Sequence, residues 1–184
     1  CDAAGSNHYA GQMHDFRLWD AAVAIDDIKA KSLTVLSGLE PSLMLYYPMN
    51  EGLGDELTDK ARGNTAILNG TWATPDGYAV NFSGNSYMRI NSSEIPVRDD
   101  QNFTLEFWFK TNGSNTSNQA LLANGMADGS DLADARDLFY IGFDGDGALF
   151  FRNNRQTVSV DGDYRDGQWH QFALTVDRNA LNAQ

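Results

Sequence analysis

The chain has 184 residues, with 13 Lys and Arg against 25 Asp and Glu and a formal net charge of -12. That balance leaves no basic footprint for DNA or RNA and disfavours an anionic membrane surface, whereas hard cations, calcium above all, suit such a field. Hydrophobic residues at 42% and aromatics at 11% suffice for a folded core. The single cysteine, Cys1, excludes an internal disulfide, and no apolar run is long enough to insert into a membrane. Without an initiator Met or a signal peptide, the sequence reads as a piece of a longer chain.

The first element is residues 12–19, where period-two alternation predicts a half-buried strand, with His14, Phe16 and Leu18 on one face and Asp15, Arg17 and Trp19 on the other. Asp20 then stands as the cap of a short amphipathic helix over residues 21–36, with Ile25, Ile28 and Leu33 as its apolar positions and Gly38 and Pro41 as its stop. From Leu43 the texture changes to short strands separated by turn residues. Leu43–Met49 reads as a strand, and Gly52, Gly54 and Gly63 mark a long loop after it. Residues 77–82 and 87–90 read as a hairpin across Ser83-Gly84-Asn85. FTLEFWFK (Phe103–Lys110) is the clearest strand, with Phe103, Leu105, Phe107 and Phe109 toward the core and Thr104, Glu106, Trp108 and Lys110 opposite. Residues 138–143 and 148–152 form a second hairpin across Asp144-Gly145-Asp146-Gly147, and residues 157–160 and 169–176 are the last strands. Short strands at this spacing, with almost no helix, predict an all-β antiparallel sandwich.

Several segments resemble a known family. GQMHDFRLWDAAVAIDDI (Gly11–Ile28) is similar to the closing strand and helix of laminin-G-like, concanavalin A-like jelly rolls. LMLYYPMNEGLGDELTDKARGNTAILNG (Leu43–Gly70) resembles the opening of the same domain, and YAVNFSGNSYMRI, FTLEFWFKTNG and DGQWHQFALTVDR resemble the strands that follow. The closing signature comes before the opening one. The resemblance therefore implies that residues 1–38 end one copy and residues 39–184 supply two-thirds or more of the next, within a tandem array. Alternatively, residues 1–20 complete the sandwich built by residues 43–184.

The family likeness also implies one structural Ca2+ at the rim of the sandwich. Carried over by position, Asp59 is the best-matched ligand, Asp15 is the acid of the closing strand, Glu51 is a third contact, and backbone carbonyls complete the set of about six to eight oxygens. Without metal, Asp59 would only make a turn and Asp15 would pair with Arg17 or a neighbour. Asp144-Gly145-Asp146-Gly147 has the flavour of a calcium loop but lacks the distal Glu, and a tight hairpin explains it more simply. Asp128, Asp131, Asp134 and Asp137 read as a solvated acidic loop.

Catalysis has little to stand on. A glycoside hydrolase needs two carboxylates across a cleft, and FTLEFWFK offers only Glu106. His8, His14 and His170 lie beside no Ser or Cys nucleophile, and no phosphate loop, dinucleotide fingerprint or zinc spacing occurs. Trp72, Trp108, Trp169, Tyr46, Tyr47 and Tyr78 could line a sugar platform, although most belong to packing in a sandwich. Sequons begin at Asn69, Asn81, Asn91, Asn102, Asn112 and Asn115, two of them at predicted strands, and an Asn-, Gly- and Thr-rich composition accounts for them as well. The sequence thus points to a non-catalytic binding or adhesion module of a secreted or cell-surface protein, with a bacterial leaning. Its expected partners are a glycan or an extracellular protein, beside neighbouring repeats of the parent chain. An architectural spacer and an ancillary carbohydrate-binding domain of a glycoside hydrolase are the alternatives.

Overall fold

A computed structural model describes residues 7–73, 79–91, 101–112, 118–124, 139–153 and 156–178. Its elements are β1 (Gly11–Trp19), α1 (Ile25–Lys31), β2 (Leu43–Tyr47), β3 (Glu56–Thr58), β4 (Thr65–Asn69), β5 (Thr71–Trp72), β6 (Val80–Phe82), β7 (Tyr87–Arg89), β8 (Phe103–Lys110), β9 (Gln119–Asn124), β10 (Phe139–Phe143), β11 (Leu149–Asn153), β12 (Thr157–Val160) and β13 (His170–Val176). The architecture is the expected all-β, antiparallel concanavalin A-like sandwich with one short helix. One sheet has the order β13-β8-β1-β6-β5, with β2 also paired to β1; the others are β12-β11-β10-β9 and β3-β4-β7.

The chain divides into two compact units: residues 1–12, 81–87 and 110–169 form one, and residues 13–80, 88–109 and 170–184 the other. In the latter, β1 pairs antiparallel with β2 (Phe16 opposite Tyr47, Leu18 opposite Leu45), and β8 pairs with β13 from Val176–Phe103 to His170–Phe109. Alternating apolar residues build the core face: Phe16, Leu18, Leu45, Tyr47, Leu105, Phe107 and Phe109 are all buried. The opposite face is closed as well. Trp19 and Tyr46 pack with Leu36 and Leu43, and Val23 joins the same cluster, so residues 21–36 cover that side of the sheet.

Several expectations are corrected. The helix is only Ile25–Lys31, starts at Ala24 without a side-chain cap, and buries Ile28 alone; Asp20 does not cap it. Ile25 is 58% and Leu33 87% exposed, and the helix ends in a turn at Ser32–Leu33, before the expected stripe is complete. β1 does not keep strict alternation. Asp15 has φ 58°, a left-handed residue inside a strand, and His14 before it lies on the Trp108 side, where it stacks on that indole. β8 is buried on both faces, Thr104 and Glu106 included, not on one. The expected hairpin at Ser83–Asn85 keeps its turn (Ser86 N–H to the Ser83 carbonyl, 3.0 Å), but β6 and β7 join different sheets. The long loop after β2 contains β3, and β4, β5 and β9 are further strands that the sequence reading did not identify.

In the other unit the hairpin of β10 and β11 is as expected, with Phe143 opposite Leu149 across the Asp144–Gly147 turn. Asp144 Oδ1 accepts the N–H groups of Asp146 and Ala148, each at 3.0 Å, which satisfies that acid within the turn. Ala120, Tyr140 and Phe150 form a buried cluster, and Tyr140 stacks on Phe150 with ring centroids 5.3 Å apart. The acidic run Asp128–Asp137 lies outside the described residues.

Candidate functional site

The candidate ligands Asp59, Asp15 and Glu51, and the lone strand acid Glu106, fall in the unit built around β1, β2 and β8, at two places. The first is the turn after β3. Asp59 is 1% exposed, and its Oδ1 accepts the N–H groups of Tyr46 and Ala61, each at 2.9 Å, while Oδ2 accepts Asn64 Nδ2 at 3.3 Å. Its own N–H donates to the Asn64 carbonyl at 2.9 Å, and Lys60 N–H donates to the Tyr46 carbonyl at 2.8 Å. The carboxylate thus pins the turn to β2. Glu51 braces the same loop, with Oε1 accepting the Thr58 N–H at 3.0 Å, while its Oε2 is buried without a hydrogen-bond partner.

The second place is the covered face of the large sheet. Arg17, 1% exposed, forms an ion pair with Asp15 at 2.6 Å and reaches the Lys31 and Thr34 carbonyls at 3.0 and 2.7 Å. Glu106 Oε1 accepts Trp19 Nε1 at 2.8 Å, with the Arg17 guanidinium 3.8 Å away, and Oε2 accepts Gln171 Nε2 at 2.9 Å. Trp108 Nε1 donates to the Ser32 carbonyl at 3.1 Å, and Thr104 Oγ1 donates to the Ala21 carbonyl at 2.8 Å. These bonds tether the crossing segment to the sheet. Burial raises the Asp15 carboxyl against the opposing pull of Arg17 and of a hydrogen bond to Tyr46. Burial, helped by the Arg17 charge, pushes His14 down to about 4. Tyr46 is raised by burial and by the Asp15 charge.

Tyr46 links Asp15 and Asp59 through its two ends, its hydroxyl for Asp15 and its backbone N–H for Asp59. Among the described residues no three His, Cys, Asp or Glu side chains gather into a group that could hold a metal ion. The Asp59 oxygens face N–H donors, which repel a cation, and Asp15 faces a guanidinium. Glu51 alone carries an orphaned oxygen, far short of the about six to eight ligands calcium takes. As placed, Asp59, Asp15 and Glu51 do not fit a calcium ion as a set.

What the surface does present is the outward side of the β3-β4-β7 sheet. Alternation buries Leu57, Ala66 and Leu68 and leaves Glu56, Thr58, Thr65, Ile67, Asn69 and Arg89 exposed. Glu56 lies opposite Ile67 and Thr58 opposite Thr65. Beside it Trp72 Nε1 donates to the Gly54 carbonyl at 2.9 Å, next to Leu53 at 77% exposure. Of the aromatics weighed as a sugar platform, Tyr46 and Tyr47 are buried, Trp108 is committed to His14 and Ser32, and Tyr78 lies outside the described residues. Trp72 and Trp169 keep some exposure. The network partners Trp19 and Gln171 escaped the sequence reading; the only signal for them was Glu106 alternating with Thr104 and Trp108 on one strand face.

The chain belongs to the concanavalin A-like lectin/glucanases superfamily, whose laminin-G family description matches residues 82–183, more than half of the chain. No curated protein and no solved structure matches it. Among the described residues no helix is long and apolar enough to cross a membrane.

Proposed function

We propose that this chain is a non-catalytic binding or adhesion module of a secreted or cell-surface protein, which recognises a glycan or an extracellular protein. The observation that carries this reading is the internal commitment of its buried acids. Both Glu106 oxygens, the Asp15 carboxylate and the Asp59 oxygens are taken up by hydrogen bonds or an ion pair. A general acid and base need access to substrate, whereas Glu106 and Asp59 are 2 and 1% exposed and Asp15 is held by Arg17. Recognition then falls to the surface, and the outward side of β3 and β4 with Arg89 mixes apolar Ile67 with hydroxyl, amide and charged groups, a chemistry suited to sugars or to a polar protein rim. No step of this reading runs through calcium. The place of β1 between β8 and β6 supports residues 1–20 completing the sandwich of residues 43–184.

The test is a glycan array and a panel of immobilised extracellular proteins probed with the labelled chain, repeated with Ile67→Lys and Arg89→Glu. Loss of a signal in these variants, at unchanged melting temperature, supports the outward face as the reader. Release of reducing sugar from a polysaccharide, abolished by Glu106→Gln, would replace this reading with an enzymatic one.

A spacer role is favoured by a different observation. Ile25, Leu33, Val35 and Leu39 are 58, 87, 78 and 87% exposed within one stretch, an apolar strip that a neighbouring repeat would cover. A chain that binds nothing on either panel, yet is protected from proteolysis in this strip when a second copy is fused to it, would establish that role.

A further inference from the structure

The four-stranded sheet ends in an unprotected strand. β12 pairs on one side with β11, Val158 opposite Phe151 and Val160 opposite Leu149, and among the described residues no strand pairs its other side. All four of its residues are exposed. Apart from its shortness it is not blunted, having no Lys, Pro or bulge in Thr-Val-Ser-Val. Its valines continue the core face: Leu149 and Phe151 are 6 and 7% exposed, whereas Val158 and Val160 beside them are 51 and 53% exposed. The apolar face therefore runs out to the edge and stops uncovered.

We propose that β12 is a self-association edge, pairing antiparallel with β12 of a second copy to continue the sheet across a two-fold axis. The two-fold keeps core face against core face only if paired residues share a face. Centring the axis on Ser159 sets Val158 opposite Val160 of the second copy and Ser159 opposite its own equivalent. Such β-branched cross-strand pairs are favourable. The same register sets Thr157 opposite Asp161 of the second copy. Arg152 stands beside Thr157 on β11, its Nε 3.3 Å from Thr157 Oγ1, so each end of the seam brings a guanidinium to an exposed aspartate. This opposition of charge selects a second copy over an unrelated extended peptide. Four residues a side make a small interface, so association is weak, in the range of about 10 to 500 micromolar.

The test is sedimentation velocity from about 5 to 500 micromolar. The expected mass moves from one copy of 20.3 kDa toward two as concentration rises. Val158→Lys with Val160→Lys abolishes the dimer at unchanged melting temperature, as exposed positions allow. Arg152→Glu weakens it at least tenfold, and adding Asp161→Arg in the same chain restores it, which a merely destabilised fold would not do. In a Cys1→Ser background, Ser159→Cys oxidises readily to a disulfide-linked dimer, whereas Gln168→Cys, on another loop, does not. A chain that stays monomeric at every concentration, or a dimer indifferent to the valine and charge changes, overturns the proposal.

Discussion

Replacing Glu106 with Leu tests the buried network on the covered face of the large sheet. Glu106 is 2% exposed, and its loss would orphan the indole N–H of Trp19 and the amide of Gln171 and remove one of the two carboxylates around Arg17. Breaking a buried charged pair from one side costs about 3–5 kcal/mol. Here Arg17 keeps Asp15 at 2.6 Å and two backbone carbonyls, whereas Glu106 stands 3.8 Å away, so the low end applies, about 3 kcal/mol. Arg17→Met leaves both Asp15 and Glu106 uncompensated and belongs at the high end, about 5 kcal/mol. Because the two side chains share one network, the double variant should be less destabilised than the sum of the singles, by about 1–3 kcal/mol. Urea unfolding followed by tryptophan fluorescence reads this directly, since Trp19 and Trp108 lie on that face, with the m-value checking that the unfolding remains comparable. A Glu106→Leu protein within about 1 kcal/mol of the parent would refute the network as a desolvated, interdependent unit.

Other outcomes follow from neighbouring groups. His14 is held down to about 4 in the folded chain against 6.5 unfolded, so as pH falls below 6.5 the unfolded state takes up its proton first and stability is lost until about 4. Discounted for the imidazole's partial exposure, the loss is roughly 1–2 kcal/mol. The raised carboxyl of Asp15 acts in the opposite sense, since the folded state binds its proton more readily and gains stability as pH falls. His14→Phe, which preserves the stack on Trp108, should remove the His14 part of the slope in urea titrations between pH 7 and 4 and leave that of Asp15; an unchanged slope would refute the assignment. Asp59→Ala orphans the N–H groups of Tyr46 and Ala61 and should cost about 2–4 kcal/mol. The parent's melting temperature should be the same in calcium and in chelator at matched ionic strength; a calcium-dependent rise that Asp59→Ala abolishes would instead place a metal there. Gly38 has φ 88°, and a Cβ would run into the Lys60 carbonyl, so Gly38→Ala should cost about 1–3 kcal/mol by thermal unfolding, where a neutral result would show that the turn can relax.

What could be read from the sequence was whatever a local pattern records. Phe103–Lys110 announces a strand because Phe103, Leu105, Phe107 and Phe109 recur at every second position, and Asp144–Gly147 announces a hairpin because Asp and Gly meet the turn's demands within four residues. Family-like segments before and after residue 40 identified the jelly roll, and residues 82–183 carry the family match. Tertiary pairing decided the rest. β6 and β7 look like a hairpin, yet β6 lies between β1 and β5 and β7 pairs with β4, since strand pairing is a choice that turn residues only permit. Leu33 fits a helical stripe, yet residues after Lys31 cross a sheet face and leave it in water. The clearest case is the site. Asp59, Asp15 and Glu51 are acids in a calcium-like order along the chain, but an oxygen's role depends on what faces it. Folding set N–H groups before Asp59 and a guanidinium before Asp15, partners that come from residues up to 13 positions away for Asp59. The sequence alone determined that the chain would make a sandwich. Only the three-dimensional placement of donors around each carboxylate decided that these acids hold the scaffold together.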